Sequence, residues 1–149
     1  MKVAAVQLTS AGNVTENQEL ALAKIREAAG NGARLIVLPE ATSQNFRSGR
    51  LDEQAQTLEG PFATAIQTLA EELEVTVVAG MFCPADTVER EGKTINRVTN
   101  TALIAGPGVL GGYDKIHTYD AFDYRESDTV LAGESLVAFD VDDLIVGVA

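Results

Sequence analysis

Two carboxylates and one lysine are the side chains in this sequence whose setting suits chemistry. Glu40 directly follows Leu35-Ile-Val-Leu-Pro39, an apolar run closed by a proline. Lys115 ends the pattern Gly111-Gly-Tyr-Asp-Lys115, and Glu126 comes eleven residues later in the polar stretch Tyr124-Arg-Glu126-Ser-Asp128. A strand held on both faces delivers a side chain with little positional freedom, as catalytic geometry requires. A carboxylate can take up a proton and return it, and a fixed ammonium can stabilise charge developing on an oxygen. Glu40, Lys115 and Glu126 therefore read as two thirds of an acid–lysine–nucleophile site. The nucleophile is not visible in the chain.

The elements that must position these residues follow from periodicity. Val3-Ala-Ala-Val-Gln-Leu8 is a first strand, and Thr9 to Asn13 breaks it. Thr15 and Gln18 form a capping box for a helix whose apolar positions include Leu22, Ile25 and Ala29. Gly30-Asn31-Gly32 stops that helix. Leu35 to Leu38 is apolar at every position, which suits a strand covered on both faces, and Pro39 ends it. Ligands gather at that carboxyl edge in α/β folds. Thr42 to Gln56 is polar and irregular, a candidate active-site loop or rim. Pro61 opens a second helix carrying Phe62, Ile66, Leu69 and Leu73.

Val75 to Ala79 is a third strand, extending as far as Phe82. Asp86 to Lys93 is a charged turn leading to the strand Val98–Ala105. Gly106-Pro107-Gly108 then reverses the chain into Val109–Lys115. Asp142-Asp143 joins a last hairpin, Leu136–Val141 and Leu144–Val148. Strand, helix, strand, helix and then hairpins predict a mixed α/β sheet layered with helices. No internal repeat or linker divides residues 1–149, so they read as part of one domain.

Other patterns carry less chemistry. Gly106-Pro-Gly108-Val-Leu-Gly111 has the spacing of a dinucleotide loop, but Gly112-Tyr-Asp-Lys is a poor helix start, so it reads as a hairpin turn. Asp140-Val-Asp142-Asp143 lacks the glycine and bidentate glutamate of a calcium loop. His117 is the only histidine and cannot by itself build an imidazole-rich metal site. With no nucleophile-elbow glycines in the chain, His117 reads as structural or as support for a neighbouring catalytic group. Cys83 reads as a small core residue rather than a reactive thiol. No metal or cofactor is implied.

A net charge of −11 repels phosphate backbones and anionic membranes, and eleven dispersed Lys and Arg form no basic patch. Nucleic-acid and membrane partners are therefore not expected, and a small molecule is. The lone cysteine and the absence of a signal-peptide pattern fit a cytoplasmic protein.

Leu35-Ile-Val-Leu-Pro39-Glu40, Tyr113-Asp-Lys115-Ile-His117 and Tyr124-Arg-Glu126-Ser-Asp128, in this order, resemble the nitrilase superfamily of carbon–nitrogen hydrolases. The opening Val3-Ala-Ala-Val-Gln-Leu8 and the lead-in Gly32-Ala-Arg-Leu-Ile36 are similar to that family as well. The likeness runs the whole chain but covers only the first half of a typical member, and it is nearest the amidase branch of omega-amidases and deaminated-glutathione amidases. It implies an αββα sandwich and a Cys-Glu-Lys site with a second glutamate assisting. Glu40 then matches the general base, Lys115 the lysine beside the oxyanion and Glu126 the assisting glutamate. A buried carboxylate would suit the base, which takes the thiol proton and later gives it to departing ammonia.

The resemblance also implies a homodimer or higher homo-oligomer. It places the nucleophilic cysteine two positions beyond Ala149, after the approach Gly147-Val-Ala149. Residues 1–149 alone are accordingly expected to be inactive and poorly soluble. The rival expectations are a non-catalytic fragment or pseudoenzyme acting as an interaction or assembly module, and a nucleotide-binding α/β domain resting on Gly106 to Gly111.

Overall fold

The computed structural model describes residues 1–122 and 124–149; Asp123, within the stretch linking Lys115 to Glu126, lies outside them. Its centre is a five-stranded sheet in the order β1-β2-β3-β4-β5: β1 Val3–Ala5, β2 Leu35–Val37, β3 Thr76–Arg90, β4 Lys93–Gly106 and β5 Val109–Asp114. The first three strands are parallel and the rest antiparallel. The change of direction follows from the connections. Helices α1 (Val14–Gly30) and α2 (Pro61–Glu72) carry the chain back to begin parallel strands, whereas two-residue turns can make only antiparallel ones.

Both helices lie on one face of the sheet. Asn17, Ala21, Ile25 and Ala28 recur at helical spacing and are buried on α1, as are Phe62, Ala63, Ile66, Leu69 and Ala70 on α2. They pack against Ile36, Val77, Ala79, Met81, Leu103 and Ala105, the alternate residues of β2, β3 and β4 that point to that side. The opposite side chains, Leu35 and Ile104, meet a hairpin of β8 (Val137–Val141) and β9 (Leu144–Val148) through Phe139 and Val141. Two short strands, β6 (Asp120–Ala121) and β7 (Tyr124–Arg125), pair beside the sheet and lead into a 3-10 turn at Glu126–Asp128.

Several expectations change at this level. Helix α1 is capped by Asn13, whose side chain accepts from the backbone N–H groups of Thr15 and Glu16, so the Thr15–Gln18 box is not the cap. Gly60 brings no side chain to the start of α2, and Gln56 supplies the missing acceptor to Phe62 N at 2.8 Å. Strand β3 does not stop at Phe82. It continues through a bulge between Pro84 and Thr87, and the turn shrinks to Glu91-Gly92, both at positive φ. A two-residue hairpin turn requires such torsions, because its twist must match that of the strands. Strand β2 is not covered on both faces throughout, since Val37 is 36% exposed. Within Gly106 to Gly111, Pro107-Gly108 is the hairpin turn between β4 and β5 with no helix after it, so a phosphate loop is absent there.

Candidate active site

Three separate parts of the chain bring the predicted residues together. Beyond β2 the chain turns sharply at Pro39, and the turn seats on β3. Gly80 N–H donates to the Pro39 carbonyl at 3.1 Å, and Ser43 N–H donates to the Gly80 carbonyl at 3.0 Å. A β-carbon on Gly80 would overlap the carbonyl of Glu40. Only glycine lets the two backbones approach this closely. Gly80→Ala is therefore expected to push the Glu40 turn outward and destabilise the fold by about 1–3 kcal/mol. A thermal melt indistinguishable from that of the unmodified protein would refute this.

The loop after Glu40 is fixed by buried polar groups. Asn17, 2% exposed on α1, accepts from Ala11 N–H at 2.7 Å and donates to the carbonyls of Ala11 and Ser43. Thr42 donates to the Pro39 carbonyl at 2.6 Å. Phe46 packs edge-on against Phe82, with ring centroids 5.2 Å apart. The polar segment is thus a pinned rim, as its position in the sequence suggested.

Lys115 leaves the end of β5 with its backbone held on both sides. Its N–H donates to the Asn100 carbonyl at 2.8 Å, and its carbonyl accepts from Gly133 N–H at 2.9 Å. Gly133 is a second close approach, where a β-carbon would overlap the Asp114 carbonyl. The Lys115 ammonium lies 3.1 Å from Glu40 Oε1 and 3.1 Å from Glu126 Oε2. Burial works against its charge, but the hydrogen bonds to Glu126 and Glu40 outweigh that effect and raise its pKa above the ordinary lysine range. Lys115 is accordingly a cation throughout the neutral range.

The two glutamates sit in different surroundings. The Glu126 side chain is 3% exposed and fully engaged: Oε2 accepts from Tyr119 N–H at 2.6 Å, and both oxygens face Lys115. A carboxylate buried this deeply needs such partners to remain charged. The Glu40 side chain is 53% exposed, so the shielded carboxylate is Glu126 and not the expected base. Glu40 stands at the strand edge facing the cleft, and among the described residues no backbone N–H donates to its carboxylate as Tyr119 N–H does to Glu126.

Asn100 is the site residue that sequence reading passed over. It is 4% exposed in the middle of β4, and its amide donates to Glu40 Oε1 at 2.8 Å and Glu126 Oε1 at 3.4 Å. The available signal was an asparagine in the middle of a strand otherwise rich in Val, Thr, Leu and Ile, a position that favours β-branched and apolar residues.

Glu40, Phe46, Arg47, Lys115, Tyr119, Ala121, Phe122 and Glu126 line a cleft of about 660 Å³. That is room for a small ligand. His117 is exposed and outside this lining, so a supporting role in the site is not what its position offers. Cys83 packs against the main core from a different cleft, beside Thr99, Thr101 and Asp114. Burial pushes its thiol pKa up, which disfavours the reactive thiolate. Among the described residues, no group of three or more His, Cys, Asp or Glu is placed to hold a metal, and no helix is long and apolar enough to cross a membrane.

Comparison with known proteins agrees with this architecture. The carbon-nitrogen hydrolase family pattern matches residues 2–149. A Mycobacterium tuberculosis protein named only as a hydrolase is 40% identical over 152 residues, covering 99% of this chain and 51% of the relative. The deaminated glutathione amidase of Synechocystis sp. is 36% identical over 137 residues, covering 88% of this chain and 49% of the relative. The chain thus spans about half the length of the curated relatives it matches. A CN-hydrolase superfamily protein of Xanthomonas campestris, with an arsenic adduct in its active site, shares the fold at a TM-score of 0.78. That superposition covers 97% of this chain and 51% of the other, at 23% identity. The α/β architecture expected of the nitrilase type is therefore present, and this chain belongs to the carbon-nitrogen hydrolase family.

Proposed function

We propose that this chain forms the base-and-lysine half of an amidase that cleaves a small carboxamide to a carboxylic acid and ammonia. The observation that carries the reading is a convergence. Val148 and Ala149, at the end of β9, line one cleft of about 450 Å³ together with Glu40, Asn100 and Lys115. Two further residues span at most about 7 Å, so a cysteine following Ala149 could reach the same cleft. The nucleophile is assigned to that position, in a protein of about its relatives' length.

The groups on the page then have distinct tasks. Glu40 accepts the thiol proton, and the thiolate attacks the amide carbon. Negative charge moves to the carbonyl oxygen, where the Lys115 ammonium stabilises it. As the carbon–nitrogen bond breaks, Glu40 returns the proton to nitrogen and ammonia leaves. Water then attacks the thioester, Glu40 takes a proton from it, and the acid and the free thiol are released. Glu126 keeps Lys115 charged and aligned, using the hydrogen bonds that bury it.

Ammonia release from small carboxamides by the full-length protein tests this reading, together with mass spectrometry of the acylated enzyme. Turnover is expected to persist in Cys83→Ser and to vanish when the cysteine after Ala149 is replaced. Absence of ammonia release across a panel of short-chain carboxamides would instead favour a non-catalytic assembly module.

A further inference from the structure

We infer that Asn100 is a positioning residue that fixes the Glu40 carboxylate by its Oε1 atom, so that proton transfer runs through Oε2. This rests on the amidase reading above for its meaning in catalysis, though not for its geometry. Glu40 Oε1 accepts from Asn100 Nδ2 at 2.8 Å and from Lys115 Nζ at 3.1 Å, while no hydrogen bond to Oε2 is formed among the described residues. A glutamate with a side chain 53% exposed would otherwise turn freely, because its terminal torsion is broad. Lys115 alone does not hold it, since that ammonium is shared with both oxygens of Glu126.

Asn100 is suited to the task. It lies in mid-strand, 4% exposed, between β3 and β5, where neighbouring strands leave its side chain little freedom. Both groups facing its amide are carboxylates, which only accept, so the NH₂ must point toward them. Its own carbonyl holds Lys115 N–H at 2.8 Å. One residue therefore sets the base through its side chain and the lysine through its backbone. Substitution of the side chain leaves the backbone contact in place, which makes the two effects separable. The charged groups facing Glu40 are Lys115 from the end of β5, Glu126 from the 3-10 turn and Arg47 from the rim loop.

Asn100→Leu and Asn100→Asp in the full-length protein test the inference. Loss of a hydrogen bond to a charged group is expected to lower kcat by about 10- to 10²-fold in Asn100→Leu, with KM changed by less than about threefold. The loss should fall on acylation, the step in which Glu40 takes the thiol proton, and not on substrate binding. Asn100→Asp keeps the shape but replaces the NH₂ donor with an acceptor, so kcat should fall at least as far. A purely structural role would lower melting temperature and active fraction without lowering kcat per active site.

Crystal structures of the unmodified and Asn100→Leu proteins give a readout that needs no turnover: the Glu40 carboxylate should lose its single orientation. If Asn100→Leu fails to fold, the isosteric Asn100→Asp carries both measurements. An unchanged kcat per active site, or a Glu40 carboxylate that keeps its place without the Asn100 donor, overturns the inference. An unmodified protein that releases no ammonia would defeat the amidase reading instead, leaving the carboxylate orientation to decide this one.

Discussion

Glu40→Gln in the full-length protein is expected to slow acylation by about 10²–10⁴-fold, the range for removing a general base. Glutamine has nearly the same shape, so its carbonyl oxygen can keep the contacts that Glu40 Oε1 makes with Asn100 and Lys115. What it cannot do is accept a proton. Because the Glu40 side chain is 53% exposed, the exchange should leave stability within about 0.5 kcal/mol. The loss would then be chemical and not structural. Rapid-quench measurement of the first acylation event, beside a thermal melt, checks both halves. Near-normal acylation in Glu40→Gln would remove Glu40 from the mechanism.

Lys115→Met should produce two losses at once, and they can be pulled apart. Loss of an oxyanion-stabilising group costs about 2.7–4 kcal/mol of transition-state stabilisation, so kcat should fall about 10²–10³-fold with little change in KM. The same change leaves Glu126, 3% exposed, without its cation. Breaking a buried pair from one side costs about 3–5 kcal/mol, and the lower end applies because Lys115 is itself 31% exposed. Lys115→Met combined with Glu126→Gln removes the stranded charge. The double variant should recover much of the stability and none of the rate. Recovery of both would mean that Lys115 acts only by holding the fold together, and a rise in KM alone would make it a substrate-binding residue.

How far the sequence revealed this site depended on the kind of signal each residue left. Glu40, Lys115 and Glu126 announce themselves because a charged residue closing an apolar run, or standing in a polar turn, breaks a pattern. Both helices and the β8–β9 hairpin were legible from periodicity and turn residues, and Glu91-Gly92 was legible as polar but not as the whole turn. The charged run from Asp86 suggested an end to β3, whereas a bulge between Pro84 and Thr87 lets the pairing resume. Asn100, Gly80 and Gly133 were silent for another reason. Their roles lie in what crosses over them, and no local rule tells an asparagine that it will face two carboxylates from distant segments. The burial contrast between Glu40 and Glu126 was hidden in the same way, since it depends on the Tyr119 backbone folding over one glutamate and not the other.

The distances along the chain between these partners carry a consequence for how the protein comes together. Lys115 is 11 residues from Glu126 but 75 from Glu40, and Asn100 is 60 from Glu40. Closing the longer loop costs about 1.7 kcal/mol more in chain entropy, a small thermodynamic difference. The kinetic difference is larger, because contacts distant in sequence must wait for the strands that bring them near. Lys115 and Glu126 are close in sequence, so their pairing closes only a short loop. Glu40 joins it only when β2, β3, β4 and β5 have all found register. During synthesis the base therefore emerges first and waits 60 residues for Asn100 and 75 for Lys115. The Glu40–Lys115 contact therefore rests on the register of the whole β2–β5 sheet.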